Sequence, residues 1–300
     1  MRRKLIKQGK GALTVSLPKE WVDFNKLKSG HEVDILDVDN TLMVNSDSVN
    51  IVNETSISLK KQTPGAFRSL IGSLYRGGYD VIHVEFSDAK VIPNLQRAVD
   101  SLYGFEIFDI KEESCVIKSI YDGESTDIVS HIKRIIYTIK MIQGIVYDDI
   151  KNKSFNSKEE ILQFRNNILK QRDLILRIIK EKKLLDNKHF PYYNVVISLW
   201  QVTRFYYYLY TGLNSKLKFD EFDLDLLEKV EKYFKKSFDK FTNLKSSDFV
   251  KRNDVYQKVK NESLDFLKEQ RCNPLISSFC SNIVFSIQFA DSSIYLLNHE

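Results

Sequence analysis

The chain has few cysteines, and the three it has, Cys115, Cys272 and Cys280, include no C-x-x-C pair. An odd number of thiols without that spacing argues against a disulfide framework, so we expect a reducing compartment, by default the cytoplasm. The longest apolar-looking stretch, residues 190–215, carries Arg204 near its centre, and we expect no membrane span. No apolar signal-peptide core follows the basic start.

Signatures of enzymes are also lacking. The five histidines are scattered without an H-E-x-x-H motif, residues 72–78 contain no G-K-[ST] ending of a phosphate loop, and no G-x-S-x-G elbow occurs. Glu112 and Glu113 could supply paired carboxylates, but on a turn between two strands they are most simply a solvated tip. We therefore predict no enzyme and no cofactor. An enzymatic module within residues 50–120 remains an alternative, and it would need a polar pocket.

What is present is an ordinary globular composition with an uneven charge distribution. Hydrophobic residues make up 43% and charged residues 28% of the 300 positions, enough for a sizeable core and for two or three domains. Residues 1–28 contain eight cations and two anions, whereas the other 272 residues contain 37 cations and 38 anions. The excess charge therefore lies at the N terminus. A polyanion such as nucleic acid would suit it, and a solvated arm is the simpler alternative.

The N-terminal segment predicts short strands around a short helix. Leu13, Val15 and Leu17 alternate with polar residues, and Pro18 ends the predicted strand. A short helical segment closes at Gly30, and strands are predicted at 31–36 and 42–44, joined by a turn at Asp39 and Asn40. So small a piece buries little core alone, which favours dimerisation.

One pattern in the N-terminal segment is the string Ser16-Leu17-Pro18-Lys19-Glu20-Trp21, accompanied by Lys7, Gly9, Lys28-Ser29-Gly30 and the later strand residues. This pattern resembles the swapped-hairpin DNA-binding domain of the AbrB/MazE/SpoVT family. The resemblance implies that two chains interleave their hairpins into one small all-β barrel that binds double-stranded DNA. It nominates six basic residues for DNA contact: Arg2, Arg3, Lys4, Lys7, Lys10 and Lys19. Lysine and arginine neutralise phosphates, and arginine can also read guanine.

Residues 50–120 predict a small α+β layer. Strands are expected at 56–59, 81–86, 105–110 and 115–120, with one helix from Pro64 to Tyr75 and another from a cap at Asp88 to Leu102. This order indicates a mixed or antiparallel sheet. Such modules sense ligands or support dimers, and a plain spacer with its own core is an equally open interpretation.

From Thr126 onward the pattern is helical. Isoleucines recur every three or four residues from Ile128 to Ile150, and Ile161, Ile168 and Ile175 repeat at intervals of seven. We predict about six helices in two groups of three, the last four at 191–213, 224–242, 249–271 and 274–297. The expected fold is multidomain: the barrel in 1–48, the α+β domain in 49–121 and an all-α bundle in 122–300.

Six helices behind an AbrB-like domain resemble the archaeal phosphate uptake regulators, in which that domain is fused to a PhoU-like bundle. The resemblance implies a role in phosphate uptake, and PhoU proteins inhibit a phosphate transporter or its signalling kinase. Some of them bind metal clusters through repeated E-x-x-x-D motifs. Here one such pair occurs, Glu221 with Asp225, and the segment 200–205 carries Arg204 in place of acids. We therefore predict no metal site, with this pair as the weak candidate.

Two hypotheses for function follow. The favoured one is a dimeric, cytoplasmic transcriptional regulator with a DNA-binding N terminus and a bundle that senses phosphate status or a partner protein. The alternative is a PhoU-like adaptor that inhibits a transporter ATPase or a signalling kinase by protein contact, with the barrel used for dimerisation. Charge reversal at Arg2, Arg3 and Lys7 would abolish function in the first case and leave it intact in the second.

Overall fold

The computed structural model forms two compact units. The described residues are 1–9, 11–38, 41–46, 52–59, 63–120, 127–181, 188–239, 241–243, 245–269 and 271–299. Unit 1 comprises Met1–Val52 and unit 2 comprises Asn53–Glu300. Small sheets occupy the N-terminal part and the C-terminal part is mostly helical, which confirms the coarse order predicted from the sequence.

The described residues of unit 1 form two antiparallel strand pairs separated by a short helix. Its elements are β1 (Ile6–Gln8), β2 (Ala12–Thr14), α1 (Lys19–Phe24), β3 (Asp34–Val38) and β4 (Thr41–Asn45). Among the described residues β1 pairs with β2 alone and β3 with β4 alone. The element order agrees with the predicted one, although the turn expected at Asp39 and Asn40 lies outside the described residues.

Local backbone geometry accounts for the turn and the helix start. Gly9 and Gly11 flank the β1–β2 turn with φ values of +67° and +155°, which glycine adopts readily because it has no Cβ. Pro18 is extended, with φ −60° and ψ 131°, and α1 begins at the next residue. The strand predicted to continue to Leu17 is shorter than expected, since β2 ends at Thr14.

In the described residues, unit 2 begins with a four-stranded sheet that packs against two helices. The elements are β5 (Glu54–Leu59), α2 (Pro64–Arg76), β6 (Val81–Phe86), a 3₁₀ turn (Ala89–Val91), α3 (Ile92–Asp100), β7 (Phe105–Phe108) and β8 (Ser114–Ser119). The strand order is β5-β6-β8-β7, with β5 parallel to β6 and the other pairs antiparallel. The sheet is therefore mixed, which is one of the two arrangements, mixed or antiparallel, that the order of strands and helices indicated.

Alternation and capping explain these elements. Buried Ile82, Val84 and Phe86 alternate along β6 with exposed side chains, and they pack with α2 and α3 in one apolar cluster. The Thr63 hydroxyl caps α2 by accepting a hydrogen bond from the Ala66 N–H at 3.3 Å. The helix expected from Asp88 to Leu102 is divided: Asp88 caps the 3₁₀ turn, and α3 covers Ile92–Asp100.

The described part of unit 2 continues with six long helices: α4 (Ile128–Asn152), α5 (Lys158–Glu181), α6 (His189–Gly212), α7 (Glu221–Phe238), α8 (Ser246–Lys268) and α9 (Pro274–Leu297). Helices α4, α5 and α6 pack against one another, as do α7, α8 and α9, and the two groups meet through α4 with α7 and α6 with α9. The contact between α6 and α9 is the most extensive of these, so the six helices pack as one bundle. No described helix combines the length and apolar character needed to cross a membrane.

The isoleucines that recur at helical spacing in the sequence lie in the helical core. The isoleucine series is buried, from Ile132 on α4 to Ile175 on α5, in one cluster that spans all six helices. Aromatic side chains of α7 are buried too, and the ring centroids of Phe234 and Phe238 lie 4.7 Å apart. Helix α2 of the α+β layer packs against α5 of the bundle, and this contact joins the two parts of unit 2.

Candidate nucleic-acid interface

The basic residues nominated for DNA contact lie on the outside of unit 1. Arg2, Arg3 and Lys4 precede β1, Lys7 lies within it, and Lys19 is the first residue of α1. All five side chains are exposed. Lys10, the sixth, lies outside the described residues. The first four therefore lie along a single terminal segment, and Lys19 lies beyond the β1–β2 hairpin.

None of these five cations is neutralised within the part of unit 1 that the structure describes. No ion pair or hydrogen bond involves their side chains there, although Glu20 and Asp23 lie nearby in sequence on α1. An exposed, unpaired cation retains its full charge for a phosphate, and the release of counterions favours such a contact. The arrangement can thus attract a polyanion without first breaking an internal pair.

The register of the first hairpin places a cation among apolar side chains. Lys7 is opposite Leu13 in the β1–β2 pair, so both side chains project from the same face. Four apolar side chains around this hairpin are half to two-thirds exposed: Leu5, Ile6, Leu13 and Val15. An isolated two-stranded hairpin is marginal in water, so these side chains need a covering surface.

Exposed apolar side chains also occur in the other described elements of unit 1. Among the described residues of unit 1 the only buried side chain is that of Asn25, at 7% exposure. Its amide donates to the Trp21 carbonyl at 2.7 Å, and its Oδ1 accepts from the Ser46 hydroxyl at 2.9 Å. Phe24, Ile35 and Leu42 are 61–68% exposed. The described part of one copy of unit 1 thus presents strands without a hydrophobic core.

The weak metal candidates have other structural roles. Glu221 is the first residue of α7, and Asp225 accepts from Lys229 at 2.6 Å. Lys229 also bridges to Glu262 on α8, so the Asp225 carboxylate belongs to an ion-pair network between helices. Within the described ranges no group of three or more His, Cys, Asp and Glu side chains is placed to hold a metal.

Unit 2 contains a charged cluster that no sequence pattern predicted. Arg68 and Arg76 of α2 and Arg172 of α5 all donate to the carboxylate of Asp173, which is fully buried. The sequence signal was slight: two arginines spaced eight residues apart on one helix, with Gly72 midway between them. Only the packing of α2 on α5 brings together residues that are about a hundred positions apart.

A second buried ion pair lies within the α7–α9 group. Asp291 accepts from Arg252 at 3.0 Å, from the Tyr233 hydroxyl at 2.9 Å and from the Ser237 hydroxyl at 3.1 Å. Burial raises the pKa of Asp291, and the positive charge of Arg252 opposes that shift. The aspartate is enclosed by donors from α7 and α8, which indicates a role in holding the three helices together.

Comparison with known proteins finds no matching family model, no matching curated protein and no matching solved structure. The resemblances drawn from the sequence therefore stand on the residues that carry them, and function has to be inferred from charge, burial and contacts.

Proposed function

We propose that this protein is a dimeric DNA-binding transcriptional regulator of the cytoplasm. In this proposal two copies of unit 1 join their hairpins into one small barrel, and the basic N-terminal residues contact double-stranded DNA. The helical bundle of unit 2 then senses phosphate status or a partner protein. The phosphate connection comes from the resemblance to the archaeal phosphate uptake regulators.

One observation carries the proposal: the charge excess and an uncovered apolar hairpin occur in the same short unit. Arg2, Arg3, Lys4 and Lys7 are exposed and lack partners among the described residues, on and just before a strand whose apolar neighbours are also exposed. A second copy would cover the apolar groups and double the number of cations. A solvated arm alone would explain the charge but not the exposed strand residues.

The decisive experiment is a salt titration of binding to duplex DNA from the protein's own promoter region. If the five described cations of both copies each contact one phosphate, log K should fall against log salt with a slope of about −9. The variant Arg2→Glu, Arg3→Glu, Lys7→Glu should bind at least about a hundredfold more weakly, with a shallower slope, because it loses counterion release and gains repulsion.

A matched control separates local from overall charge. Lys90, Lys232 and Lys268 are exposed on unit 2, and changing these three to Glu alters the net charge by the same amount. The control should retain most of the affinity. Equal losses in both variants, or no DNA binding by the unmodified protein at low salt, would contradict the proposal.

The adaptor remains a second candidate because unit 2 also exposes aromatic side chains. Phe285 and Phe289 project from one face of α9 and are 61% and 51% exposed. Exposed aromatic pairs of this kind suit protein contacts. An adaptor that inhibits a transporter ATPase or a kinase would keep its activity in the charge-reversed variant and lose it on Phe285→Asp with Phe289→Asp.

A further inference from the structure

Three guanidinium groups converge on one carboxylate at the junction of α2 and α5. Arg68 donates through Nη2 to Oδ2 of Asp173, and Arg76 donates through Nη1 to Oδ1 at 3.0 Å. Arg172 donates to the same Oδ1 through Nε at 3.0 Å and through Nη2 at 2.5 Å. Asp173 is fully buried, whereas the side chains of Arg68, Arg76 and Arg172 are 20%, 26% and 13% exposed.

A glycine makes this convergence possible. Gly72 lies one helical turn from both Arg68 and Arg76, and their guanidinium groups fold over its Cα. A Cβ at residue 72 would overlap Nη1 of Arg68 and would lie 3.2 Å from Nη1 of Arg76. A side chain at this position would therefore displace at least one of the two arginines.

The cluster has more positive charge than Asp173 can balance. A further arginine of α5, Arg177, is buried and ion-paired with Asp80, so that pair is neutral by itself. Burial lowers the pKa of Arg172; Asp173 opposes the shift, and the like charges of Arg76 and Arg68 add to it. A single buried aspartate needs one well-placed guanidinium, and the other two are electrostatically unfavourable unless an anion joins them.

Unused donors mark where such an anion would bind. The Nε–H of Arg68 is buried and has no acceptor among the described residues. A guanidinium offers more N–H donors than these contacts use, in a planar fork that matches a tetrahedral oxyanion. Arg172 lies over the ring of Trp200, with 4.7 Å from its guanidinium carbon to the ring centroid. The site therefore combines a cationic surface with an aromatic wall.

We propose that Arg68, Arg76 and Arg172, gathered around Asp173, bind the phosphoryl group of a small molecule. A dianionic phosphate would neutralise the two excess charges and accept from the unused N–H groups of the partly exposed arginines. Inorganic phosphate and a phosphate monoester share this chemistry. The inference deepens the proposed function, because it names what the bundle would sense, yet its measurement needs no DNA.

The test is fluorescence titration of the full chain with inorganic phosphate and, separately, with AMP, at constant ionic strength. The chain has two tryptophans, Trp21 and Trp200, so a Trp21→Phe parent leaves Trp200 as the reporter beside Arg172. In that parent, Arg68→Gln with Arg76→Gln should weaken binding about a hundredfold, since each charged hydrogen-bonding partner contributes about tenfold or more. Arg172 still pairs with Asp173 in this variant, so the carboxylate is not left alone.

Controls keep the result interpretable. Arg97→Gln removes an exposed guanidinium from α3 and should leave binding unchanged. If the double variant fails to fold, as judged by circular dichroism, Gly72→Ala provides a second test, because it displaces the guanidinium of Arg68 without removing charge, and it should weaken binding about tenfold or more.

Saturable binding of either probe that depends on residues 68, 72 and 76 supports the site, and the tighter probe identifies the source of the phosphoryl group. Absence of binding up to about 10 mM of both probes, or equal losses in the Arg97 control, would overturn it. The variant Arg2→Glu, Arg3→Glu, Lys7→Glu should bind phosphate normally, so that failure of this site and failure of DNA binding are separate results.

Discussion

Replacing Leu13 and Val15 with Asp tests whether a second copy covers the first hairpin of unit 1. In one chain Leu13 is 61% and Val15 is 50% exposed. Full burial of such a side chain is worth about 1.5–3 kcal/mol, so covering the exposed part contributes about 1–1.5 kcal/mol. Two residues in each of two copies then contribute about 4–6 kcal/mol to association. The dissociation constant of the dimer should therefore rise about a thousandfold or more.

Sedimentation velocity across a range of protein concentrations measures this change. The control is Phe285→Asp with Phe289→Asp on α9, because these side chains are 61% and 51% exposed and so match Leu13 and Val15. The hairpin variant should become monomeric at concentrations where the unmodified protein and the control remain dimeric. A monomeric unmodified protein, or a dimer that only the α9 variant dissociates, would refute dimerisation through unit 1.

Three further predictions concern unit 2. Asp291→Ala leaves the buried guanidinium of Arg252 without its carboxylate, so the free energy of unfolding measured with urea should fall by about 3–5 kcal/mol; a loss below about 1 kcal/mol would contradict the role given to this pair. Burial raises the pKa of Asp223, so the carboxyl group of Asp223 holds its proton more tightly in the native state than in the unfolded state, and the free energy of unfolding should decline as pH rises from about 4 towards the raised pKa. The variant Asp223→Asn should flatten that decline in melting curves recorded at a series of pH values. An unchanged slope would assign the decline to other groups. Burial raises the pKa of Cys115 to about 11 and that of Cys272 to about 12, and it also raises the pKa of Cys280. None of these three buried thiols should therefore react with a disulfide reagent at neutral pH until urea unfolds the chain. Rapid labelling of the native protein would be inconsistent with their burial.

Much of the fold could be predicted because local signals agreed with the packing. The isoleucine spacing from Ile128 to Ile150 fixes one face of α4, and that face is buried. Strand β6 was predicted with its observed bounds, since apolar and polar residues alternate from Val81 to Phe86. Pro18 marked the change from extended chain to helix, because its fixed φ suits both.

The errors came from contacts that have no local signal. β2 stops at Thr14 because its partner β1 pairs only as far as Ile6, and a strand's length depends on its partner as well as on its own pattern. Asp88 is a cap, as predicted, but it caps a 3₁₀ turn that precedes α3. A capping residue in the sequence does not show whether an α-helix or a 3₁₀-helix follows it.

Of the two candidate sites, one has a local signal in the sequence and the other has none. Charge counting along the sequence located the excess of cations in residues 1–28, which include Arg2, Arg3, Lys4 and Lys7, because a local charge balance is visible without a fold. The cluster at Asp173 could not be identified so, since its arginines come from two helices that meet only in the folded unit. Neither residue type nor spacing distinguishes such an arginine from an ordinary surface cation.

Dimerisation and DNA binding should be thermodynamically linked, because the exposed cations lie on unit 1, whose described residues form no hydrophobic core. A ligand that binds only the dimer stabilises it, by about 2.7 kcal/mol when present at a hundred times its dissociation constant. The Leu13→Asp, Val15→Asp variant loses about 4–6 kcal/mol of the free energy of dimer association, and binding of duplex DNA should offset about half of that loss. Sedimentation of that variant with added duplex should show a partial recovery of dimer. The recovery should disappear when Arg2, Arg3 and Lys7 are also changed to Glu, and its persistence there would mean that DNA contacts a surface other than the N-terminal segment.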